Sequence, residues 1–255
     1  MKVKLTDMTL KEVRDEGKIE VAVIGWGATE PHNLHIPYGC DAFTVERVAE
    51  ISALKAKNKG AKVIVLPAMY IGTNSNHFGF PMVMHFSPST QQKMLADILW
   101  SLENSGIKKL LIINGHGGNE FKGILREFYG KTGVQIFLSN WWLVREDVIN
   151  DVTEDKSGEH GNEFETSCCM HFFPELVRLE WADEGKVREP RISGMKNGQV
   201  WMTRPWPSLT TNAGHGNPMK STPEKGKKII DAATDALGDI IKEISDVVID
   251  EKFPY

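Results

Sequence analysis

The sequence predicts an α/β fold with a mostly parallel central sheet and helices on both faces. Three observations predict it. Short apolar, β-branched runs occur at residues 19–26, 62–67, 109–113 and 134–138, most of them bounded by Gly or Pro, as buried strands are. Segments with apolar residues at helical spacing separate these runs, and strand–helix alternation makes a parallel sheet. Right-handed crossovers then align the strand C-termini along one edge, where open α/β sheets bind ligands.

Taken in order, Thr9-Leu10-Lys11-Glu12 has the form of a capping box, which starts a short helix near Leu10 that Gly17 ends. The first strand follows. Asp41 is expected to cap a helix running to Asn58, with Val45, Val48, Ala49 and Ile51 on its apolar side and Gly60 as its stop. After the second strand, residues 70–86 make a long connection rich in Gly, Asn, His and Met, and loops of that length are usually functional. Ser87-Pro88 pairs a serine cap with proline in the first turn, opening a helix to about Gly106. The third strand runs into Asn114-Gly115-His116-Gly117-Gly118-Asn119, then a helix to about Thr132, then the fourth strand. Beyond Arg145 the alternation weakens. A helix is expected over 162–173 and a long one over 223–248, while residues 180–217 are irregular and cover one end of the sheet. With no repeat and no linker, residues 1–255 read as a single domain.

Composition sets the outer limits. Of 255 residues, 41 % are apolar and 25 % charged, enough to bury a sizeable core. A net charge of −4 excludes the basic excess of a general nucleic-acid binder. No apolar run approaches the ~20 residues of a membrane span, and the charged N-terminus is unlike a signal peptide. Three cysteines, two of them adjacent, are not a disulfide framework, so the cytoplasm is the expected compartment and Cys168 and Cys169 read as small buried residues.

Three stretches carry chemistry. The loop after the first strand delivers Glu30, His32, His35 and Asp41 within twelve residues, and carboxylate with imidazole suits zinc, manganese or iron. Alone it reads equally well as a polar loop. His116 stands at the end of the third strand, on the same sheet edge. Its glycine-rich surroundings have neither the Gly-Lys-Ser/Thr ending nor the Gly-x-Gly-x-x-Gly spacing of nucleotide cradles. The third stretch, Gly158 to Ser167, places Glu159, His160, Glu163 and Glu165 around a helix start. It reads either as a capped helix with a favourable acidic first turn or as the base and proton shuttle of a hydrolytic metal site. Trp141, Trp142, Trp201 and Trp206 are pocket walls or packing.

Together these stretches resemble the creatininase family (creatinine amidohydrolase and its relatives). The family pattern Gly-x-x-Glu-x-His-x-x-His-x-Pro-x-x-x-Asp is met by Gly27, Glu30, His32, His35, Pro37 and Asp41, and its Asn-Gly-His by Asn114-Gly115-His116. Its Glu-His-Gly and Glu-Thr-Ser are met by Glu159-His160-Gly161 and Glu165-Thr166-Ser167. The resemblance implies a three-layer αβα sandwich, often assembled as a homo-oligomer such as a hexamer, that hydrolyses a small amide, cyclic amide or formamide with a metal-activated water. It implies two divalent ions per chain, zinc, manganese or iron. Glu30, His32, Asp41 and His116 resemble the ligands, with Asp41 as bridge, and His160 the proton-transfer histidine held near Glu159. Trp141, His77, Gly117 and Gly118 match substrate-pocket positions. Two departures matter. Creatinine hydrolases place a glutamate ligand where this chain has Gly118, so Glu165 is expected to supply the missing carboxylate. The tryptophan that closes over creatinine has Lys156 in its place. The rival readings are a formamide hydrolase acting on a pyrimidine or pterin precursor and a non-catalytic small-molecule-binding member.

Overall fold

The computed structural model describes residues 1–255. In chain order the helices and strands are α1 (Leu10–Asp15), β1 (Val21–Trp26), α2 (Cys40–Asn58), β2 (Val63–Val65), α3 (Pro88–Asn104), β3 (Lys109–Asn114), α4 (Phe121–Phe128) and β4 (Gln135–Asn140). They continue as α5 (Glu146–Val152), α6 (Glu163–Phe172), α7 (Ser193–Lys196), α8 (Trp206–Leu209) and α9 (Pro223–Asp246). The strands form one sheet in the order β2-β1-β3-β4, and every pairing is parallel. Helices cover both faces, as expected.

Side-chain alternation along the strands sorts the two faces. Val21 and Val23 of β1 and Leu111 and Ile113 of β3 pack with Val45, Val48 and Ala49 of α2 and Ile229, Ala233 and Leu237 of α9. Ala22, Ile24, Leu110 and Ile112 point the other way, onto Leu95 and Leu99 of α3 and Phe121 of α4. Helices α2, α6 and α9 pack on one another over the first face. Because β1 and β3 are central, both faces of each are dry. Their near-continuous apolar runs follow from that.

The local signals are realised with small shifts. Thr9 and Glu12 form the capping box, the Ser87 hydroxyl caps α3, and Thr222 caps α9 ahead of Pro223. Helix α4 ends at Phe128, short of the expected Thr132, because Gly130 takes a left-handed φ of 72°. The expected role of Asp41 as helix cap is corrected. Gly39 occupies the cap without a side-chain bond, and Asp41 lies one residue inside the first turn. Its carboxylate is free to turn toward the sheet edge. No helix is long and apolar enough to cross a membrane.

Candidate metal centre

At the C-terminal edge of β1 and β3, four side chains from three segments meet. His116 Nδ1 lies 3.1 Å from Glu30 Oε1 and 3.1 Å from Asp41 Oδ2. His32 Nε2 lies 3.0 Å from Asp41 Oδ1. Each oxygen of Asp41 therefore faces a different histidine. All four residues are buried.

The protons are assigned by the opposite ring atoms. His116 Nε2–H donates to the Thr73 carbonyl at 3.2 Å, and His32 Nδ1–H donates to the Glu30 carbonyl at 3.0 Å. In a neutral ring the remaining nitrogen is then a lone pair, and in both cases it looks at carboxylate oxygen. Glu30 Oε1 and Asp41 Oδ2 are buried without any hydrogen-bond partner. Buried oxygens left in that state cost stability unless something positive joins them. Two atoms ligating one ion at ~2.1 Å, at angles of ~90–110°, are ~3.0–3.4 Å apart. The observed spacings fit that demand, so the donor set suits divalent cations.

The electrostatics agree. Burial disfavours an imidazolium at His32, yet the Asp41 carboxylate outweighs it and pushes the pKa up to about 10. Burial also opposes the charge on His116, and Glu30 and Asp41 raise it well above the ordinary histidine value. The pocket thus gathers positive charge, protons if nothing else. His160 behaves oppositely. Burial and neighbouring His32 lower it to about 3, so it is neutral. Its Nε2–H donates to the Pro31 carbonyl at 2.9 Å, leaving Nδ1 as a lone pair 3.8 Å from Glu30 Oε1. Its ring stacks on His32 with centroids 4.0 Å apart.

The backbone beneath the cluster explains the sequence around it. Helix α2 presses its first turns against the strand ends. A Cβ at Gly27 would stand 2.5 Å from the Ala42 backbone, and one at Gly115 2.7 Å from the Val45 side chain. Only glycine lets Asp41 sit between β1 and β3. Asn114 receives the His116 N–H at 3.2 Å and donates to the His116 carbonyl at 2.9 Å, holding that turn. Asn119 Oδ1 accepts from Gln91 at 2.7 Å and Thr73 at 3.1 Å. Thus Asn-Gly-His-Gly-Gly-Asn is a buried amide scaffold for one histidine.

The other expected site residues divide. Glu165 lines the same cavity, where it accepts the Gly161 N–H at 2.5 Å, but stands outside every group of donor atoms within 4.8 Å of one another. Burial pushes its pKa up to about 7. His77 is buried and donates from Nδ1 to Glu30 Oε2 at 2.6 Å. Gly118 admits no side chain, since a Cβ would lie 2.4 Å from both His116 Nε2 and the Thr73 carbonyl, whereas Gly117 has open space. Trp141 packs into the core against Phe164, ring centroids 5.2 Å apart, and reaches the cavity wall.

The expected pairing of Glu159 with His160 is corrected. The two are chain neighbours whose side chains diverge: Glu159 turns to Arg204 and His215, which hold its carboxyl down at about 2. His35, matched by the family pattern, also faces away, pairing with the Thr166 hydroxyl at 2.7 Å. Cys40 and Cys169, free and buried, touch at 2.8 Å.

Above the cluster opens a cavity of about 740 Å³. Its rim comes from the irregular segment that the sequence marks only as a cover. Trp206 sits over His77 and His160, with ring centroids 4.6 and 4.7 Å away. Arg204 lies over the Trp206 ring at 5.5 Å and pairs with Glu159, while Trp201 stands 79 % exposed at the mouth. Arg204 and His215 were invisible to motif reading, because no spacing in the sequence links them to residues 159–160. The one available signal is that His215 lies in a Gly-His-Gly turn. That turn forms a reciprocal backbone bridge with His160, at 2.8 and 3.1 Å.

The creatininase family, described as creatinine amidohydrolase, matches the chain over residues 6–241. A crystal structure of a Bacteroides fragilis protein, provisionally assigned as a creatinine amidohydrolase, is 34 % identical, superposes with a TM-score of 0.91, and covers 98 % of this chain and 99 % of that one. The 3-dehydro-scyllo-inosose hydrolase of Thermotoga maritima is 29 % identical across 69 % of this chain, a match that spans 58 % of that protein's length. Creatininase structures at 22 % identity, described as Zn-Zn and Mn forms, share the fold with TM-scores of 0.79 and 0.80, covering 97 % of this chain and all of theirs. The chain belongs to the creatininase family.

Proposed function

We propose that this protein is a metal-dependent hydrolase of a small amide, cyclic amide or formamide, with two divalent ions held by Glu30, His32, Asp41, His116 and Glu165. One observation carries the reading. Buried oxygens of Glu30 and Asp41, without hydrogen-bond partners, converge on Nδ1 of His116, an arrangement that calls for positive charge, which a divalent cation supplies by displacing the proton the carboxylates otherwise hold there. Asp41, facing a different histidine with each oxygen, would help hold both ions. Glu165 is the carboxylate that Gly118 cannot supply. Zinc and manganese are the first ions to try.

When bound, the ions supply Lewis acidity, polarising a carbonyl oxygen and lowering the pKa of water toward ~7. The chain supplies the rest. Thr73 and the Glu30 carbonyl fix the histidine tautomers, so that lone pairs and not N–H groups face inward. Neutral His160, its Nε2–H held by Pro31, accepts a proton at Nδ1 from the attacking water and passes it to the leaving nitrogen. Trp206 lies over that histidine and keeps bulk water from it. Glu159 acts at a distance, anchoring Arg204 at the rim.

The Thermotoga maritima relative favours a second reading. A 3-dehydro-inosose is a cyclic polyol with two carbonyls, and the same water-activating chemistry would open such a ring: water adds to one carbonyl, the adjacent C–C bond breaks, and the departing carbon leaves as the enolate of the second carbonyl and is then protonated. Homo-oligomeric assembly is part of the proposal, supported by the exposed apolar side chains of Phe78, Met82 and Trp181. The three free cysteines fit a reducing, cytoplasmic setting.

Metal analysis of chelator-free protein, followed by turnover assays on creatinine, other cyclic amides, formamides and cyclic polyol ketones, tests this. About two ions per chain and turnover of one class support the proposal. Protein that takes up no divalent metal after reconstitution refutes it in every version.

A further inference from the structure

We infer that His77 is a positioning residue for Glu30, reserving one oxygen of that carboxylate, Oε1, for a cation. The inference rests on the metal-centre reading above and adds to it a second layer of the site, reached from the long 70–86 connection.

The observations are geometric. His77 is 2 % exposed and comes from the short turn Ser75–His77. Its Nδ1–H reaches Glu30 Oε2 at 2.6 Å, shorter than any contact among Glu30, His32, Asp41 and His116, while Glu30 Oε1 on the same carboxyl has no partner and faces His116. The two oxygens of Glu30 are therefore not equivalent: one is engaged, one is open. A carboxylate with both oxygens open can swing and chelate an ion through both, using a coordination position that water or substrate needs. With Oε2 held, only Oε1 is on offer.

The ring itself is locked. Trp206 packs on it edge-on at a centroid distance of 4.6 Å, Phe80 at 6.3 Å, and His160 lies at 5.2 Å. Its Nε2 is buried with no partner of any kind. An imidazole that merely filled space would not leave one nitrogen orphaned while the other makes so short a bond. Leaving Nε2 bare is the cost of placing a donor at Glu30. His77 also lines the cavity, but with its donor committed to Glu30 only the buried Nε2 is left to meet a substrate. Outer partners of metal ligands typically change affinity by ~10–100-fold when removed.

The test compares His77→Ala and His77→Asn with the wild type, titrating metal-free protein with Co²⁺ and following both affinity and visible absorption. The Asn amide nitrogen takes nearly the place of the imidazole Nδ1, so this variant keeps the donor and loses the ring. The expected result is a ~10–100-fold weaker Co²⁺ affinity and an altered absorption band in His77→Ala, with His77→Asn restoring both to within about threefold of wild type. Wild-type affinity and spectrum in His77→Ala overturn the inference and leave the metal centre standing. So does an Asn variant no better than Ala, which assigns His77 to packing alone. A wild-type protein that binds no Co²⁺ overturns the metal centre and this inference together. Should His77→Ala fail to fold, the Asn variant decides: wild-type Co²⁺ binding supports the role, and folded protein with weak binding refutes it.

Discussion

The floor of the cavity and its rim are built from different kinds of chain. The floor residues Glu30, Asp41 and His116 follow β1, open α2 and follow β3, and each is buried and held by neighbours of fixed position. The rim residues Trp201, Arg204 and Glu159 lie on irregular chain and are partly or largely exposed, with Arg204 paired to Glu159. The floor has no freedom to rearrange, because rotating any one side chain strands another buried charge. The rim does. Water-activating chemistry needs the first property, and discrimination among substrates tolerates the second.

Substitutions that distinguish the two regions come first at the floor. His116→Ala should have the largest effect, abolishing turnover and dropping metal content below one ion per chain, read by metal analysis and steady-state assay. Full metal content in that variant would dissolve the floor as a unit. Next is His160→Ala, which should retain both ions while kcat falls ~10²–10⁴-fold. If it loses an ion instead, His160 is a ligand, an outcome consistent with its nitrogen lying within 4.8 Å of donor atoms of Glu30 and His32.

Metal uptake should also depend on pH in one direction. Without metal, Asp41 keeps His32 protonated up to about 10, and burial keeps Glu165 protonated up to about 7. An ion must displace those protons, so binding releases them, and affinity rises with pH. Between pH 6 and 8 the gain should follow Glu165 losing its proton. Potentiometric proton release on metal addition measures it, and affinity flat across that range would remove Glu165 from the ligand set.

The floor was legible in the sequence for a physical reason. A strand end in a parallel sheet has a known place, so Glu30, His32 and His116 were assignable to one edge before any coordinates. The four strands were legible because buried parallel strands cannot hide their apolar runs. For Asp41 the sequence supports two roles, candidate ligand and helix cap, and the structure removes the second while placing the carboxylate in the cluster. Acidic residues favour both roles at a helix start, and only the approach of α2 to Gly27 decides between them. The rim was not legible. Arg204 meets Glu159 across 45 residues of chain that include α6 and α7, and no periodicity encodes which carboxylate a lone arginine will reach. Glu159 looked catalytic because it adjoins His160 in sequence, but adjacent residues need not point the same way.

The smallest expected effect is the most informative about how separate the two regions are. Arg204→Met removes a half-exposed ion pair and a cation–π contact, each worth about 0.5–1 kcal/mol at such a site, so thermal stability should change little and metal content not at all. KM should move more than kcat, because Arg204 lines the mouth and not the floor. Combining Arg204→Met with His160→Ala then asks whether the rim communicates with His160, the residue proposed to move the proton. Independent sites add to within about 0.5 kcal/mol in log kcat/KM. Trp206 touches both, under Arg204 and against His160, while Glu159 and His215 make a second link between them. Non-additivity beyond that margin would show coupling, and its loss when Trp206→Leu is added would locate it in the Trp206 ring, whereas its persistence would assign it to the Glu159–His215 link.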